Sequence, residues 1–161
     1  MITTPRLLLR RARETDLEAF HTIMSDPRAM RYWSCLPHTD IEQTRAWLAK
    51  MLDAPSDKSD DYVIEKDGVA IGKAGAWRLP EIGFLLLPSE WRKGYAFEAL
   101  SAFVAHARGR KYGHLTADVD PRNDASLAVL AKLGFQETGR ASGTFTVGEE
   151  LVDSIYLRLD L

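Results

Sequence analysis

A chain of 161 residues can form one domain with a substantial hydrophobic core. Its hydrophobic share of 45%, charged share of 27% and net charge of −2 are ordinary for a soluble globular protein, without the basic excess of a nucleic-acid-binding domain. Because Cys35 is the single cysteine, no intramolecular disulfide can form. No cysteine and histidine cluster has the spacing of zinc ligands. No apolar run approaches the roughly 20 residues that span a bilayer. Because the amino terminus has no apolar signal segment, we expect a cytoplasmic protein that binds neither membrane nor nucleic acid.

The first third of the chain has one short apolar strand, at residues 7–9, and two helix signals. Helices are predicted from Thr15 and from Thr39, because a glutamate follows each threonine three residues later, as in a capping box. The first helix is expected to end near residue 25. Apolar residues at helical spacing predict the inward faces of both helices. In the first helix they are Leu17, Phe20 and Met24, and in the second Ile41, Ala46, Trp47, Leu48 and Leu52.

The middle of the chain is rich in strand signals. Residues 53–61 are polar and contain Pro55, which predicts an exposed loop. Strands at residues 62–65 and 69–77 flank Asp67-Gly68, a strong hairpin signal. After a turn at residues 78–80, the segment 81–87 becomes apolar on both faces, as a central buried strand should be.

The second half alternates helices and strands. A helix is predicted at residues 94–108, a strand at 115–119 and a second helix at 123–133, ending at Gly134 in the left-handed position. The buried stripe of the first of these helices is expected to contain Phe97, Leu100, Phe103 and Val104. Two final strands, from residue 135 and at 151–159, are joined by a loop or wide hairpin at 142–150.

This order of elements, without a repeat or a linker, predicts one domain over residues 1–161. The predicted class is α/β (α+β), with a central mixed sheet flanked by about four helices.

The junction between the apolar strand and the following helix has the features of an anion site. The first amides of a helix lack internal partners, and with the helix dipole they attract negative charge. Arg92 and Lys93 add positive charge, Gly94 lets the backbone approach a ligand, and Ala96 leaves space beside it. This combination suits a pyrophosphate.

Three other interpretations of this junction are open. A P-loop requires a hydroxyl residue after its lysine, whereas Lys93 precedes Gly94 and no hydroxyl follows. A dinucleotide fingerprint requires three spaced glycines, and this turn has one. A plain helix cap with two solvated basic residues is the third, and Lys93-Gly94 alone would favour it.

The residues around this junction resemble the GCN5-related N-acetyltransferase (GNAT) superfamily. Its cofactor motif is Gln/Arg-x-x-Gly-x-Gly/Ala between the fourth strand and the third helix, and Gly94 and Ala96 match it. Trp91 stands where Gln or Arg is usual. Trp there, followed by a basic turn and Gly94-Tyr95-Ala96, is typical of a branch that includes the enzymes that acetylate the N-termini of ribosomal proteins.

A second block supports the resemblance. Asn123 and Ser126, followed by Lys132-Leu133-Gly134-Phe135, are similar to the family's Asn-x-x-Ser … Lys-Leu-Gly-Phe block. Residues 4–10 also resemble that branch, so that the similarity covers nearly the whole chain. Two blocks in order at family-like spacing are a specific signal, whereas either alone is weak.

The resemblance implies a GNAT-like fold, acetyl-coenzyme A as co-substrate, an amine acceptor and no metal. It implies that backbone amides hold the pyrophosphate of coenzyme A. Their residues are Arg92, Lys93, Gly94, Tyr95, Ala96 and Phe97. Main-chain groups of Leu85, Leu86 and Leu87 would pair with the pantetheine arm like an additional strand, and one amide would polarise the thioester carbonyl.

The second block carries two further roles by resemblance. Asn123 would contact the cofactor arm, with a plain helix N-cap as the alternative. Ser126 would lie near the thiol as a general acid or orienting donor. Its alternative is a serine of the first helical turn that bonds to the backbone.

Acetyl transfer to an amine requires a base. An α-amino group has a pKa of about 8 and a lysine about 10.4, so that most of either is protonated at neutral pH. Glu81 is the first candidate, because alternation along its strand places it on one face with Gly83 and Leu85. An exposed carboxylate at a strand end is the alternative, and Asp118 and Asp120 are weaker candidates.

A covalent route would use Cys35, with His38 nearby in sequence, but a buried small residue is the favoured interpretation of this cysteine. His21 and His106 are expected to face solvent or to pack. Tyr32 and Trp33 lie in an aromatic and basic cluster that is a candidate for the amine pocket, with a core or lid role as the alternative.

Glu149 and Glu150 are candidates to attract a cationic acceptor, although a solvated turn is the favoured interpretation. The leading hypothesis is an N-acetyltransferase for a peptide N-terminus, a polyamine or another small amine. A non-catalytic coenzyme A-binding domain and an enzyme with a different acyl donor are the alternatives. A monomer or a homodimer is expected, the latter through an exposed final strand.

Overall fold

The computed structural model describes residues Met1–Leu161 and contains eight strands, four α-helices and two short 3-10 helices. The strands are β1 Ile2–Thr3, β2 Leu8–Arg10, β3 Asp60–Lys66, β4 Val69–Arg78, β5 Glu81–Leu86, β6 His114–Val119, β7 Gln136–Val147 and β8 Glu150–Asp160. The helices are α1 Leu17–Met24, α2 Ile41–Leu52, α3 Tyr95–Gly109 and α4 Asp124–Lys132. The 3-10 turns are Glu14–Asp16 and Pro88–Glu90. The longest helix, α3, has 15 residues, and no helix has the length and hydropathy needed to cross a bilayer.

All eight strands form one mixed sheet in the order β1-β2-β3-β4-β5-β6-β8-β7. Only the β5–β6 pair is parallel. The four helices cover this sheet, so that the predicted class and helix number are confirmed.

The parallel pair β5–β6 is joined only at its start. Glu81 pairs with Thr116, and the Thr116 amide donates to the Pro80 carbonyl oxygen at 3.0 Å. No residue of β5 beyond Glu81 has a partner on β6. The two strands therefore leave an opening in the middle of the sheet, beside the residues that lead into α3.

Two apolar cores lie on opposite faces of the sheet. The larger is built around α3 and α4, with Leu100, Phe103 and Leu130 fully buried. The smaller joins α1 and α2 to the sheet and includes Phe20 and Leu85. Each fully buried side chain of this kind contributes roughly 1.5–3 kcal/mol, and these contacts fix both layers against the sheet.

The two predicted helix starts are correct in place, but the capping residues differ. Before α1, it is the Asp16 carboxylate that accepts from the Arg13 amide at 2.8 Å, while Thr15 is exposed. Asp16 is drawn inward because the buried Arg10 guanidinium binds it through two nitrogens. At α2 the cap is Asp40, which accepts from the Glu42 amide at 2.8 Å.

The inner faces of two helices differ in part from the prediction. Ala46 and Leu52 are exposed on α2, whereas Thr44 is fully buried because its hydroxyl bonds to two histidines. On α3, Phe97 is only half-buried, and the Lys132 ammonium lies 4.2 Å from its ring centroid.

Two predicted loops are shorter than expected. The loop from residue 53 ends at Ser59, because Asp60 and Asp61 enter β3 and are buried against polar partners. Residues 142–147 belong to β7, with an irregularity between Ala141 and Phe145, so that the predicted wide hairpin is wrong. β7 lies at the sheet edge with much of its length exposed, and it therefore lacks the apolar alternation that marks a strand.

The final strand is not an edge. β8 pairs with β6 on one side and β7 on the other, which contradicts the expectation that it is exposed for pairing between protomers. The predicted Asp67-Gly68 hairpin is confirmed. The end of α4 is also confirmed, since the Phe135 amide donates to Leu130 O at 3.0 Å and the Gly134 amide donates to Ala131 O at 3.0 Å.

Candidate active site

The segment between β5 and α3 makes a tight turn that presents its backbone. After the 3-10 turn Pro88–Glu90, Arg92 has φ +61° and Gly94 has φ +82°. Left-handed residues interspersed with ordinary ones turn successive amides toward the same side. Gly94 is the N-cap of α3 and has no side chain to cap the helix.

This turn leaves a continuous row of amides free. None of the six backbone N–H groups of residues 92–97 donates to a protein acceptor, and the first amide with a partner is that of Glu98, which donates to Gly94 O at 3.0 Å. Six free donors at the positive end of a 15-residue helix are an arrangement that favours an anion.

Side chains around the amide row hold the turn in place and add positive charge beside it. Arg6 donates to Lys93 O at 2.9 Å and pairs with Glu98 at 2.7 Å, so that it ties the amino-terminal segment to the turn. Lys93 bonds to Glu90 at 3.1 Å, and this bond holds the pKa of the Glu90 carboxyl below its ordinary value. The Arg92 side chain is exposed and forms no ion pair within the protein, so it is the cation free to meet a ligand.

The aromatic residues of this region have different surroundings. Tyr95 is buried, with Arg6 at 4.5 Å and Lys66 at 5.3 Å from its ring centroid. Its ring is therefore part of the core, and only its amide faces the row. Ala96 and Phe97 are half-buried in the first turn of α3.

Of the three predicted leucines of β5 and its end, one turns its amide toward the opening. The Leu87 amide donates to Ile71 O at 2.8 Å, within the sheet. Antiparallel alternation turns the Leu85 backbone toward β4 as well, where Leu85 pairs with Lys73. The Leu86 amide therefore faces the opening, while the Leu86 carbonyl oxygen accepts from the Trp91 indole at 3.1 Å.

Asn123 and Ser126 lie at the start of α4, which follows β6 across the opening. The Asn123 side-chain oxygen accepts from the Ser126 amide at 3.2 Å, so the N-cap role of Asn123 is confirmed. The Ser126 hydroxyl makes no hydrogen bond and is half-buried. The alternative in which this hydroxyl bonds to the backbone is therefore wrong.

Glu81 lies on the sheet face that α1 and α2 cover. Leu85 on the same strand face packs with this layer, and a Cβ placed on Gly83 would lie 3.7 Å from Trp77 and 4.0 Å from Trp33. The Glu81 carboxylate is 3.5 Å from Arg78 and partly exposed. Of the weaker candidates, Asp120 is paired with Arg122, and this bond holds the pKa of its carboxyl below the usual value, which makes it a poor base.

A pocket of about 220 Å³ opens on the same sheet face, between residues 27–37, the end of β6 and the β7–β8 hairpin. Tyr32 and Trp33, the predicted candidates for an amine pocket, both line it. Glu150 lies at its rim, 2.6 Å from Arg122 and 3.8 Å from Arg31. The Glu150 carboxylate is therefore not free to attract a cationic acceptor, because two arginines already pair with it.

The cysteine and the histidines do not form a nucleophilic centre. Cys35 Sγ is 3.9 Å from His38 Nε2, and burial raises the pKa of the thiol, which keeps it protonated. His38 and His21 share the Thr44 hydroxyl at 2.7 and 2.8 Å. His106 bonds to Asp60 at 2.8 Å. No group of three or more His, Cys, Asp or Glu side chains has metal-binding geometry.

Sequence reasoning missed two contributors to this region. Arg6 contacts the amide row from 87 residues away in the chain, and no local pattern points to that contact. Arg122 pairs with Glu150 at the pocket rim, and its position next to Asn123 in sequence is the one local signal for it.

Known proteins resemble this chain in sequence and in fold. The GNAT acetyltransferase domain family matches residues 6–136. The uncharacterised N-acetyltransferase p20 of Bacillus licheniformis is 29% identical over 84% of this chain and 82% of its own.

Two solved structures have the same fold. A GNAT-family acetyltransferase from Bacillus anthracis superposes with a TM-score of 0.85 at 26% identity, covering 99% of this chain and 97% of its own. RimL, the ribosomal L7/L12 α-N-protein acetyltransferase, solved with coenzyme A, has a TM-score of 0.85 at 21% identity over 98% and 96%. With a family model that matches most of its length, the chain belongs to the GNAT family and is an acetyltransferase.

Proposed function

We propose that the protein transfers the acetyl group of acetyl-coenzyme A to a primary amine, by direct attack while both substrates are bound. The observation that carries this proposal is the row of six free amides beside the opening between β5 and β6. A diphosphate on the amides and an extended arm in the opening match the two parts of coenzyme A. RimL, which has the same fold, was solved with coenzyme A.

The cofactor arm would lie along the open edge of β5. The Leu86 amide is the donor available to it there, and the free Arg92 side chain would meet a phosphate. On the other side of the opening, Asn123 uses its side-chain oxygen as a helix cap, which leaves its NH₂ group for the arm. An amide aimed at the thioester oxygen would stabilise the charge that develops during attack.

Proton transfers would involve one residue on each side of the opening. The unbonded Ser126 hydroxyl would donate a proton to, or orient, the leaving thiolate. Glu81, on the face that carries the pocket, would accept the proton of the amine directly or through water. The proposed route uses no covalent acyl-enzyme, because burial raises the pKa of the Cys35 thiol and keeps it protonated.

The amine acceptor would enter from the side of α1 and α2. The pocket near Trp33 has a volume of about 220 Å³, which suits one amino-acid residue or a small amine rather than a folded surface. A peptide could still insert its first residue there. We therefore propose a peptide N-terminus or a compact small amine as the acceptor.

Two measurements test this function together. Calorimetry should show binding of coenzyme A, and Glu81→Gln should leave this affinity unchanged while it lowers the rate of thiol release from acetyl-coenzyme A. An acceptor panel of peptides, amino acids and polyamines then identifies the substrate. Binding without release for any acceptor would favour a non-catalytic coenzyme A sensor, and faster release from succinyl-coenzyme A would favour a different acyl donor.

A further inference from the structure

Two arginines from separate parts of the chain converge on one carboxylate at the rim of the pocket. Arg122, which follows β6, is 2.6 Å from Glu150 Oε1, and Arg31, from the loop before α2, is 3.8 Å from the same atom. Their guanidinium carbons lie 5.7 and 5.0 Å from the Tyr32 ring centroid. The Tyr32 ring therefore lies beside both guanidinium groups and helps to hold them near the Glu150 carboxylate.

The members of this cluster are anchored to different degrees. Arg122 is fixed by Asp120, which is 3% exposed and accepts from the Arg122 amide at 2.9 Å and from two of its guanidinium nitrogens. Glu150 has a side chain that is 46% exposed, next to the hairpin turn at Gly148. Exposed ion pairs contribute about 1 kcal/mol or less, so that the Glu150 side chain can leave at low cost.

The charges around the Glu150 carboxylate indicate which kind of group would replace it. Without Glu150, Arg31 and Arg122 carry two positive charges, and Asp120 cancels one of them. The remaining charge of +1 matches a monoanion. The group that occupies the position is itself a carboxylate, and guanidinium groups match carboxylate geometry well.

We propose that Arg31 and Arg122 bind a carboxylate carried by the amine acceptor, and that Glu150 occupies this position when the acceptor is absent. This inference rests on the proposed acetyl transfer and names its substrate class. The same pocket has apolar walls, among them Met30, Trp33 and Val152. The acceptor is therefore a compact amine with one carboxylate and an apolar side chain.

The test uses two product-like probes that differ only in the anion. N-acetyl-L-methionine and N-acetyl-L-methioninamide share the side chain and the acetylated nitrogen, so that no amine ionisation separates them. Calorimetry with the intact protein in saturating coenzyme A should show the carboxylate probe binding about tenfold more tightly.

Single substitutions in the cluster should act in opposite directions. Arg31→Gln should reduce the preference for the carboxylate to about threefold or less, because one guanidinium is lost. Glu150→Gln should tighten binding of the carboxylate probe several-fold and leave the amide probe unchanged, because the internal competitor loses its charge. A Glu150→Gln variant that had merely lost structure would bind the carboxylate probe more weakly. A gain of affinity therefore cannot come from loss of structure. Arg122→Gln is a further variant, but it leaves the buried Asp120 unpaired, so Arg31→Gln and Glu150→Gln are decisive.

Arg140→Gln is the matched control, because Arg140 pairs with Glu137 on the exposed edge strand β7, away from the pocket. Arg140→Gln should change neither the affinity for the carboxylate probe nor that for the amide probe. Equal binding of the two probes, no binding of either, or weaker carboxylate binding by Glu150→Gln would overturn the inference. None of these results would contradict the proposed acetyl transfer. That function would fail on separate results, namely if coenzyme A does not bind or if no amine is acetylated.

Discussion

The indole N–H of Trp91 donates to the carbonyl oxygen of Leu86 across the 3-10 turn between β5 and α3, with an N···O distance of 3.1 Å. This bond connects the last residue of the open strand to the beginning of the amide row. It holds the turn close to the strand, although the Trp91 residue is 43% exposed. The Trp91 side chain therefore links the two parts of the proposed cofactor site, which are the end of β5 and the row of free amides.

Trp91→Phe should weaken coenzyme A binding by about three- to tenfold. The substitution keeps an aromatic ring but removes a neutral hydrogen bond, which contributes about 1 kcal/mol. Calorimetry measures the effect. Trp77→Phe is the control, because Trp77 is equally exposed and its indole N–H has no protein partner. An unchanged affinity for Trp91→Phe would show that the bond does not order the turn.

Gly94→Ala should lower both stability and coenzyme A affinity. A side chain at φ +82° costs roughly 1–2 kcal/mol, and the added methyl would lie 3.4 Å from the Arg6 guanidinium, beside the amide row. Gly68→Ala is a matched control, because Gly68 has φ +81° and open space around it. Denaturant unfolding should report a similar loss for both variants, and calorimetry a loss of coenzyme A affinity for Gly94→Ala alone.

Ser126→Ala should lower kcat at least about tenfold, as expected for loss of a group that assists proton transfer. Its affinity for coenzyme A should stay within about twofold, because the helix cap uses the Ser126 amide and not its hydroxyl. Ser101→Ala, at a half-buried serine of α3, is the control. A full rate in Ser126→Ala would remove this hydroxyl from the mechanism.

The buried His38 should make stability sensitive to pH. Burial, together with the nearby His21, lowers the pKa of the His38 imidazole below 6.5, so the folded protein resists its protonation. The unfolded chain binds that proton as pH falls below about 6.5, and the free energy of unfolding must then decrease through this window. The other polar groups around His38 are Cys35 in its own loop and Thr44 on α2.

Denaturant unfolding between pH 7.5 and about 5.5 checks this expectation. His38→Gln should be less stable at pH 7.5, because Thr44 loses a partner, and its stability should fall less steeply with acidification. His114→Gln, at the half-exposed start of β6, controls for the loss of one imidazole. Parallel pH dependences of His38→Gln and the unaltered protein would contradict the assignment.

Local signals in the sequence were sufficient for the elements whose geometry depends on a few neighbouring residues. Asp67-Gly68 predicted its hairpin and Gly134-Phe135 the end of α4, because turn dihedral angles and short-range hydrogen bonds suffice there. The same holds for the turn at Gly94. Free amides at a helix start need no distant partner, and the row of unpaired amides was therefore predictable from the local sequence.

Tertiary structure alone decided which polar groups were already paired. Arg10 binds the Asp16 carboxylate in the 3-10 turn before α1, and two histidines bond to the buried Thr44 hydroxyl on α2. The sequence alone indicates only that Glu150 is part of a turn, whereas in the fold Arg31, more than a hundred residues earlier, lies 3.8 Å from its carboxylate. The charge available to a ligand depends on partners that only the folded chain brings together, because residue spacing does not encode contacts between distant segments.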